Sequence, residues 1–244
     1  MTEQLLSGKS ALVTGGARRV GRGIALVLAR AGADVAITFR SSQAEAAETT
    51  HEIESLGRRA LAVECDVRSE VSVRDAVAAT MNHFGRLDLV VNNAAIFETA
   101  PLDQLTLDQW DAVFETNARG PFLVAREALP HLRAVAGRIV NIGSLGGIHA
   151  WAGPAHYCAS KAALHSLPQS LAKAFAPEVS VNCVAPGWIE MGEEPGGQAA
   201  HFAAKTPMRR NGSVEDVAQA VLFFASGPHF VTGQILAVDG GLGL

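Results

Sequence analysis

The strongest constraint in this chain is a rhythm. Seven short apolar or β-branched runs, SALVTG (10–15), DVAITF (34–39), RALAVE (59–64), LDLVVNN (87–93), GRIVNIG (137–143), EVSVNCV (178–184) and QILAVDG (234–240), alternate with amphipathic stretches at about 19–31, 43–56, 69–84, 106–132, 157–176 and 213–226. The stretches carry the helical period, and several open on capping residues such as Ser69 and Ser213. Strands that alternate with helices pair in parallel, with helices covering both faces of the sheet. The expected class is therefore α/β: a doubly wound, seven-stranded parallel sheet. At roughly 150 residues per domain the 244 residues fit one large domain, and no repeat, low-complexity tract or linker divides 1–244. One irregular segment, 187–212, is rich in Gly and Pro and bears apolar side chains. A long insertion after a strand's carboxyl end lies over the ligand crevice of such a sheet, which makes this segment a substrate lid or, failing that, a plain surface loop.

Charge narrows the partners. The net charge of −4 and the scattered arginine pairs 18–19, 58–59 and 209–210 make no basic face, so nucleic acid is not expected. The longest stretch free of Asp, Glu, Lys and Arg, 139–160, contains two histidines, four glycines, Asn141, Ser144 and Pro154, which excludes a lipid-facing helix. No secretory signal opens the chain. Cys65, Cys158 and Cys183 are odd in number and far apart, as suits reduced thiols in a cytoplasm. No CxxC, HxxxH or HExxH spacing points to a metal.

The first strand runs through Thr14-Gly15-Gly16-Ala17-Arg18-Arg19-Val20-Gly21 straight into a helix. Glycines there allow a tight turn and let a pyrophosphate lie on the amides of a helix N-terminus, as in Rossmann-type folds. The second strand ends in Phe39-Arg40-Ser41-Ser42, with no acid to accept from a free ribose 2′-hydroxyl. Arg40 and the two hydroxyls suit a 2′-phosphate instead, so NADP(H) is expected over NAD(H).

These residues resemble the short-chain dehydrogenase/reductase family, whose first turn reads TGxxxGxG. Arg19 stands at the second glycine and gives the TGxxxRxG variant found in pteridine reductases. The resemblance covers nearly the whole chain and implies further cofactor contacts. Asp66, with Val67, resembles the residue that meets the adenine amino group, although an Asp in a turn can equally cap the next helix. Asn92-Asn93-Ala94-Ala95 resembles the family's NNAG, and Pro186-Gly187-Trp188-Ile189 its PG motif beside the nicotinamide. The threonine usual after that motif is absent, Glu190 and Met191 following instead.

The only tyrosine, Tyr157, stands four residues before Lys161, one of four lysines among 244 residues. Positions i and i+4 share a helix face, so the ammonium can stand near the phenol and is expected to lower its pKa from about 10 towards the working range. Ser144 lies thirteen residues before Tyr157 at a strand end, which is the family's serine-to-tyrosine spacing. Asn117 resembles the fourth catalytic member, an asparagine that kinks its helix and holds a relay water. The resemblance implies that Tyr157 protonates the developing oxyanion, Ser144 bonds it, and Lys161 holds the nicotinamide ribose.

Two substrate readings compete. Arg19 and Phe97 match pteridine reductases, with Phe97 placed to stack on a pterin. Those enzymes carry an aspartate where this chain has Ser144, and serine suits ketone reduction. A 3-oxoacyl thioester or small ketone is expected, with a pterin second, in a pocket of Phe97, Trp151, Trp188, Met191 and Phe202. A protein that senses NADP(H) without turnover is the third possibility, and it would not need the Tyr/Lys pair. The family resemblance implies a homo-oligomer, a tetramer or dimer, built through 106–132 and 157–176.

Overall fold

The computed structural model describes residues 4–192 and 197–244. The strands are β1 (Ser10–Val13), β2 (Asp34–Phe39), β3 (Ala60–Glu64), β4 (Leu89–Asn92), β5 (Arg138–Ile142), β6 (Ser180–Pro186) and β7 (Ile235–Val238). Between them lie α1 (Arg19–Arg30), α2 (Gln43–Ser55), α3 (Glu70–Phe84), α4 (Leu107–Phe114), α5 (Gly120–Arg133), α6 (Ala155–Phe175), α7 (Gln198–Lys205) and α8 (Val214–Ser226). All seven strands expected from the sequence are present. They form one parallel sheet in the order β3-β2-β1-β4-β5-β6-β7.

Side-chain alternation in β1 divides the core. Val13 packs with Ile24, Leu28 and Ile53 under α1, α2 and α8. Leu12, its neighbour, points to the other face, where Leu123, Leu132 and Phe175 of α5 and α6 cover the sheet. The register sets Leu12 between Ala36 of β2 and Val90 of β4. The connections reverse direction between β1 and β4, and a doubly wound sheet opens its ligand crevice at that switch point.

Local chemistry fixes the helix ends. The Ser69 side chain accepts from the Ser72 amide, and Gly85 closes α3 in the left-handed conformation at φ 79°. A capping box of Ser213 and Asp216 opens α8. α1 has no side-chain cap, so its first-turn amides stay available to a ligand.

Two expectations change. The stretch 106–132 is not one helix, because a π-helical turn at Glu115–Arg119 separates α4 from α5. The break precedes Gly120-Pro121, where proline has no N–H to continue the ladder and an added Cβ on Gly120 would meet Val67 at 2.9 Å. The segment 187–212 also contains a helix, α7, whose sequence QAAHFAAK is rich in strong helix formers between Gly197 and Thr206-Pro207. Residues 193–196 of that segment lie outside the described residues.

Candidate active site

A cavity of about 630 Å³ runs across the carboxyl ends of the strands. Of the residues assigned above to cofactor or substrate, Thr14, Gly16, Asn92 and Phe202 do not line it and the rest do.

At one end the β1–α1 turn approaches β4 closely. Gly15 has φ 62°, and a Cβ on Gly21 would fall 2.2 Å from the Gly15 carbonyl oxygen, so this turn and helix pack only without side chains there. Thr14 is buried beneath the floor, where its Oγ1 accepts from the amides of Asn93 and Ala94, both at 3.0 Å. The Asn93 side-chain Nδ2 donates to the carbonyls of Thr14 and Gly15 at 2.9 and 3.0 Å. Thr14 and Asn93 therefore lash β4 to the β1 turn and shape the cradle.

Arg18, Arg19 and Arg40 line the same end and are exposed. Among the described residues none of them joins an ion pair. Three guanidiniums without an ion-pair partner, beside a helix N-terminus with no side-chain cap, favour a polyanion. Arg19 adopts φ 52°, a left-handed conformation that costs a non-glycine residue about 1–2 kcal/mol. The Asp66 carboxylate is held by the Arg68 guanidinium at 2.6–3.1 Å and by the Arg68 amide at 3.0 Å, which keeps it below the usual carboxylate range. The helix-capping alternative for Asp66 is not realised, because Ser69 caps α3; the carboxylate closes a turn on Arg68 instead, and the residue faces the cavity.

At the other end α6 presents Tyr157 and Lys161 one turn apart. Lys161 is 3% exposed, and its Nζ donates to the Ile142 carbonyl at 2.8 Å. Burial brings its pKa down to about 8. The expected effect on Tyr157 is not seen: burial pushes the phenol up, with hydrogen bonding from Ser144 as the opposing influence. The physical reason is that Nζ is turned to the β5 carbonyl, 5.8 Å from the phenol ring centroid. A backbone acceptor has no residue signature, so the sequence could not show it.

Ser144 begins a short 3₁₀ turn, Leu145–Gly147, in extended conformation, and its Oγ accepts from the Gly146 amide at 3.1 Å. Its own O–H stays on the cavity side, where it faces the Tyr157 hydroxyl. Asn117 lies in the π-helical turn, is fully buried and does not line the cavity. Its Oδ1 accepts from the Ile96 amide at 2.9 Å, and its Nδ2 donates to the Ile96 carbonyl at 3.0 Å and to Ser160 Oγ at 3.1 Å. Both of its N–H groups are committed, so the side chain braces the β4–α4 loop against α6 and offers no donor to a relay water.

Phe97 meets Tyr157 edge to face, with ring centroids 4.9 Å apart. Trp188 stacks on Phe202 of α7 at 4.2 Å, and Trp151 and Met191 complete the wall. Sequence reasoning missed Ile96 and Gln198, which also line the cavity. It missed too the pair of buried His156 with Glu98 at 3.2 Å, which ties the Phe97 loop to α6. These contacts depend on tertiary approach and leave no spacing to find. Among the described residues no His, Cys, Asp or Glu cluster suits a metal, and no helix is long and apolar enough to cross a membrane.

Fold and cavity together describe a dinucleotide-dependent oxidoreductase, and comparison with known proteins agrees. A family model described as enoyl-(acyl carrier protein) reductase matches residues 15–243. The short chain dehydrogenase/reductase AacuN of Aspergillus aculeatus is 38% identical, over 97% of this chain and 96% of its own. A 3-oxoacyl-[acyl-carrier-protein] reductase of Synechocystis is 35% identical, over 97% of this chain and 98% of its own. The crystal structure of a short chain dehydrogenase from Burkholderia cenocepacia in complex with NADP is 41% identical, with TM-score 0.92, over 98% of this chain and 99% of that one. The chain belongs to the short-chain dehydrogenase/reductase family. It is a nicotinamide-dependent oxidoreductase acting on the alcohol/carbonyl couple.

Proposed function

We propose that the protein is an NADP(H)-dependent carbonyl reductase for a 3-oxoacyl thioester or a small ketone. One observation carries the reading: a single cavity holds Arg18, Arg19 and Arg40 at one end and Ser144, Tyr157 and Lys161 at the other. The cofactor fits the residues present, because the glycine cradle has no room for side chains and β2 ends in Arg40, Ser41 and Ser42 with no acid among them, the nearby Asp66 carboxylate being paired with Arg68. The α1 amides would take the pyrophosphate, and Pro186, Gly187 and Ile189 would face the nicotinamide. Bound NADPH supplies a hydride to the carbonyl carbon.

The chain's own residues do the rest. Tyr157 gives its phenolic proton to the carbonyl oxygen as charge develops there. Ser144, its hydroxyl oriented by the Gly146 amide, donates a hydrogen bond to the same oxygen. Lys161 holds the nicotinamide ribose and places a cation beneath the site, and Asn117 keeps the Phe97 loop and α6 in register. The segment 187–212 acts as the substrate lid of a single 1–244 domain. Its base is pinned by the Glu190 amide to the Gly212 carbonyl at 2.8 Å and the Gly212 amide to the Trp188 carbonyl at 3.0 Å. The exposed Leu107, Trp110 and Phe122 along α4 and α5 support self-association through those helices.

A pterin is the second reading, favoured by the exposed Phe97 ring over Tyr157. Steady-state oxidation of NADPH and of NADH is measured with an acetoacetyl thioester, a small ketone and a dihydropterin. Turnover of a carbonyl compound, with NADPH preferred, is expected. Turnover of the pterin alone replaces the first reading with the second, and tight NADPH binding without turnover of any of the three replaces both with a sensor. Tyr157→Phe should lower kcat by about 10²-fold or more with NADPH affinity nearly unchanged, and full activity in that variant would remove Tyr157 as the acid.

A further inference from the structure

The structure assigns His165 a place in the reaction: it is a positioning residue that fixes Ser144 from behind by accepting the Ser144 main-chain N–H. This rests on the reading of Ser144 as the donor to the substrate oxygen.

His165 follows Lys161 by one turn of α6, as Lys161 follows Tyr157, so the three share one helix face. It is 6% exposed, and its Nε2 accepts from the Ser144 amide at 3.3 Å. An imidazole that accepts at Nε2 and is neutral carries its proton on Nδ1. Burial and the neighbouring Lys161 ammonium hold the His165 pKa down to about 4, which preserves the acceptor at neutral pH.

The ring sits in a slot cut by two glycines. A Cβ on Gly143 would fall 2.2 Å from Nε2, and one on Gly147 would fall 2.8 Å from Cε1. The segment 143–147 thus wraps the imidazole, with Ser144 inside the wrap. Ser144 is held at two points, its amide by His165 and its Oγ by the Gly146 amide, and its O–H faces Tyr157 and the substrate space. Because the amide anchor comes from the helix that bears Tyr157 and Lys161, one rigid element sets the separation of the proton donor and the oxyanion donor. A residue that only filled the core would need volume there, with no acceptor.

The test is kinetic and non-additive. His165→Leu keeps most of the volume and removes the acceptor, whereas His165→Gln offers an amide oxygen in its place. His165→Leu is expected to lower kcat with an acetoacetyl thioester by about tenfold or more, at unchanged NADPH affinity, because misplacing a reacting group by even 1 Å can cost about 10²-fold. His165→Gln should recover most of that loss. In a Ser144→Ala background His165→Leu should change kcat less than about twofold, since the group it positions is gone. Wild-type kcat in His165→Leu, or a loss of the same size with and without Ser144, overturns the proposal and leaves the carbonyl reductase reading standing. Full activity of Ser144→Ala alone overturns the role of Ser144 and with it that of His165. Nitrogen NMR of histidine-labelled wild-type protein at neutral pH gives a test that does not depend on a variant folding. A proton on Nδ1 with Nε2 bare is the expected state, and a proton on Nε2 overturns the proposal.

Discussion

Tyr157 is the only phenol in the chain, so a single titration reports on the proposed acid. Burial raises its pKa in the free protein and Lys161 is turned towards Ile142. Ultraviolet difference absorbance of the free protein should therefore show ionisation above the ordinary value of about 10. A midpoint well below that would mean that the ammonium reaches the phenolate. At this scale the sequence was informative where roles depend on side chains at fixed offsets: Tyr157, Lys161 and Ser144 were legible from spacings of four and thirteen. It was silent where the partner is backbone or arrives from far along the chain, as with the Ile142 carbonyl that takes Lys161 and the Ile96 peptide and Ser160 hydroxyl that engage Asn117.

Among the elements, the β1–α1 turn is the most exacting. Gly21 lies on the first turn of α1, and methyl-sized bulk there would press on the Gly15 carbonyl and on Asn93 Nδ2. Gly21→Ala should weaken NADPH binding by about tenfold or more and lower the melting temperature, as overpacking of a close contact costs about 1–3 kcal/mol. Calorimetric titration and thermal unfolding check both. The element pattern was legible because each strand and helix declares its own period. The 106–132 break was not, since the turn at Glu115–Arg119 depends on Gly120 packing against Val67, a contact between residues 53 apart. α7 escaped notice because eight residues span little more than two turns, too few to declare a period, and none of them is fully buried.

Over the whole molecule, buried basic groups set a pH profile. Lys161 titrates near 8 when folded against an ordinary 10.5, and His165 near 4 against 6.5. In each interval the unfolded chain binds the extra proton, so stability rises with pH across both windows. Read downward, stability falls as pH drops from 6.5 towards 4, with His165 contributing up to about 3 kcal/mol. Urea unfolding at a series of pH values should show that limb, and His165→Gln should flatten it. An unchanged limb in the variant would assign it to carboxylates such as Asp88, whose pairing with Arg86 and Lys9 also lowers its pKa. The parallel class was legible in the strand-helix alternation, but the order of the strands, and hence the place of the switch point, emerges only when the two faces of β1 are both covered.

The walls of the cavity have an optical consequence. Of the three indoles in the chain, Trp151 and Trp188 line the cavity while Trp110 stacks on Phe114 in α4. Two of the three indoles thus stand beside the substrate region, and Trp188 rests on a ring of α7, within the segment proposed to cover it. Occupancy of the cavity and repacking of that segment are reported by the chain's own fluorescence, with no label attached, and Trp110 supplies an internal reference outside the cavity.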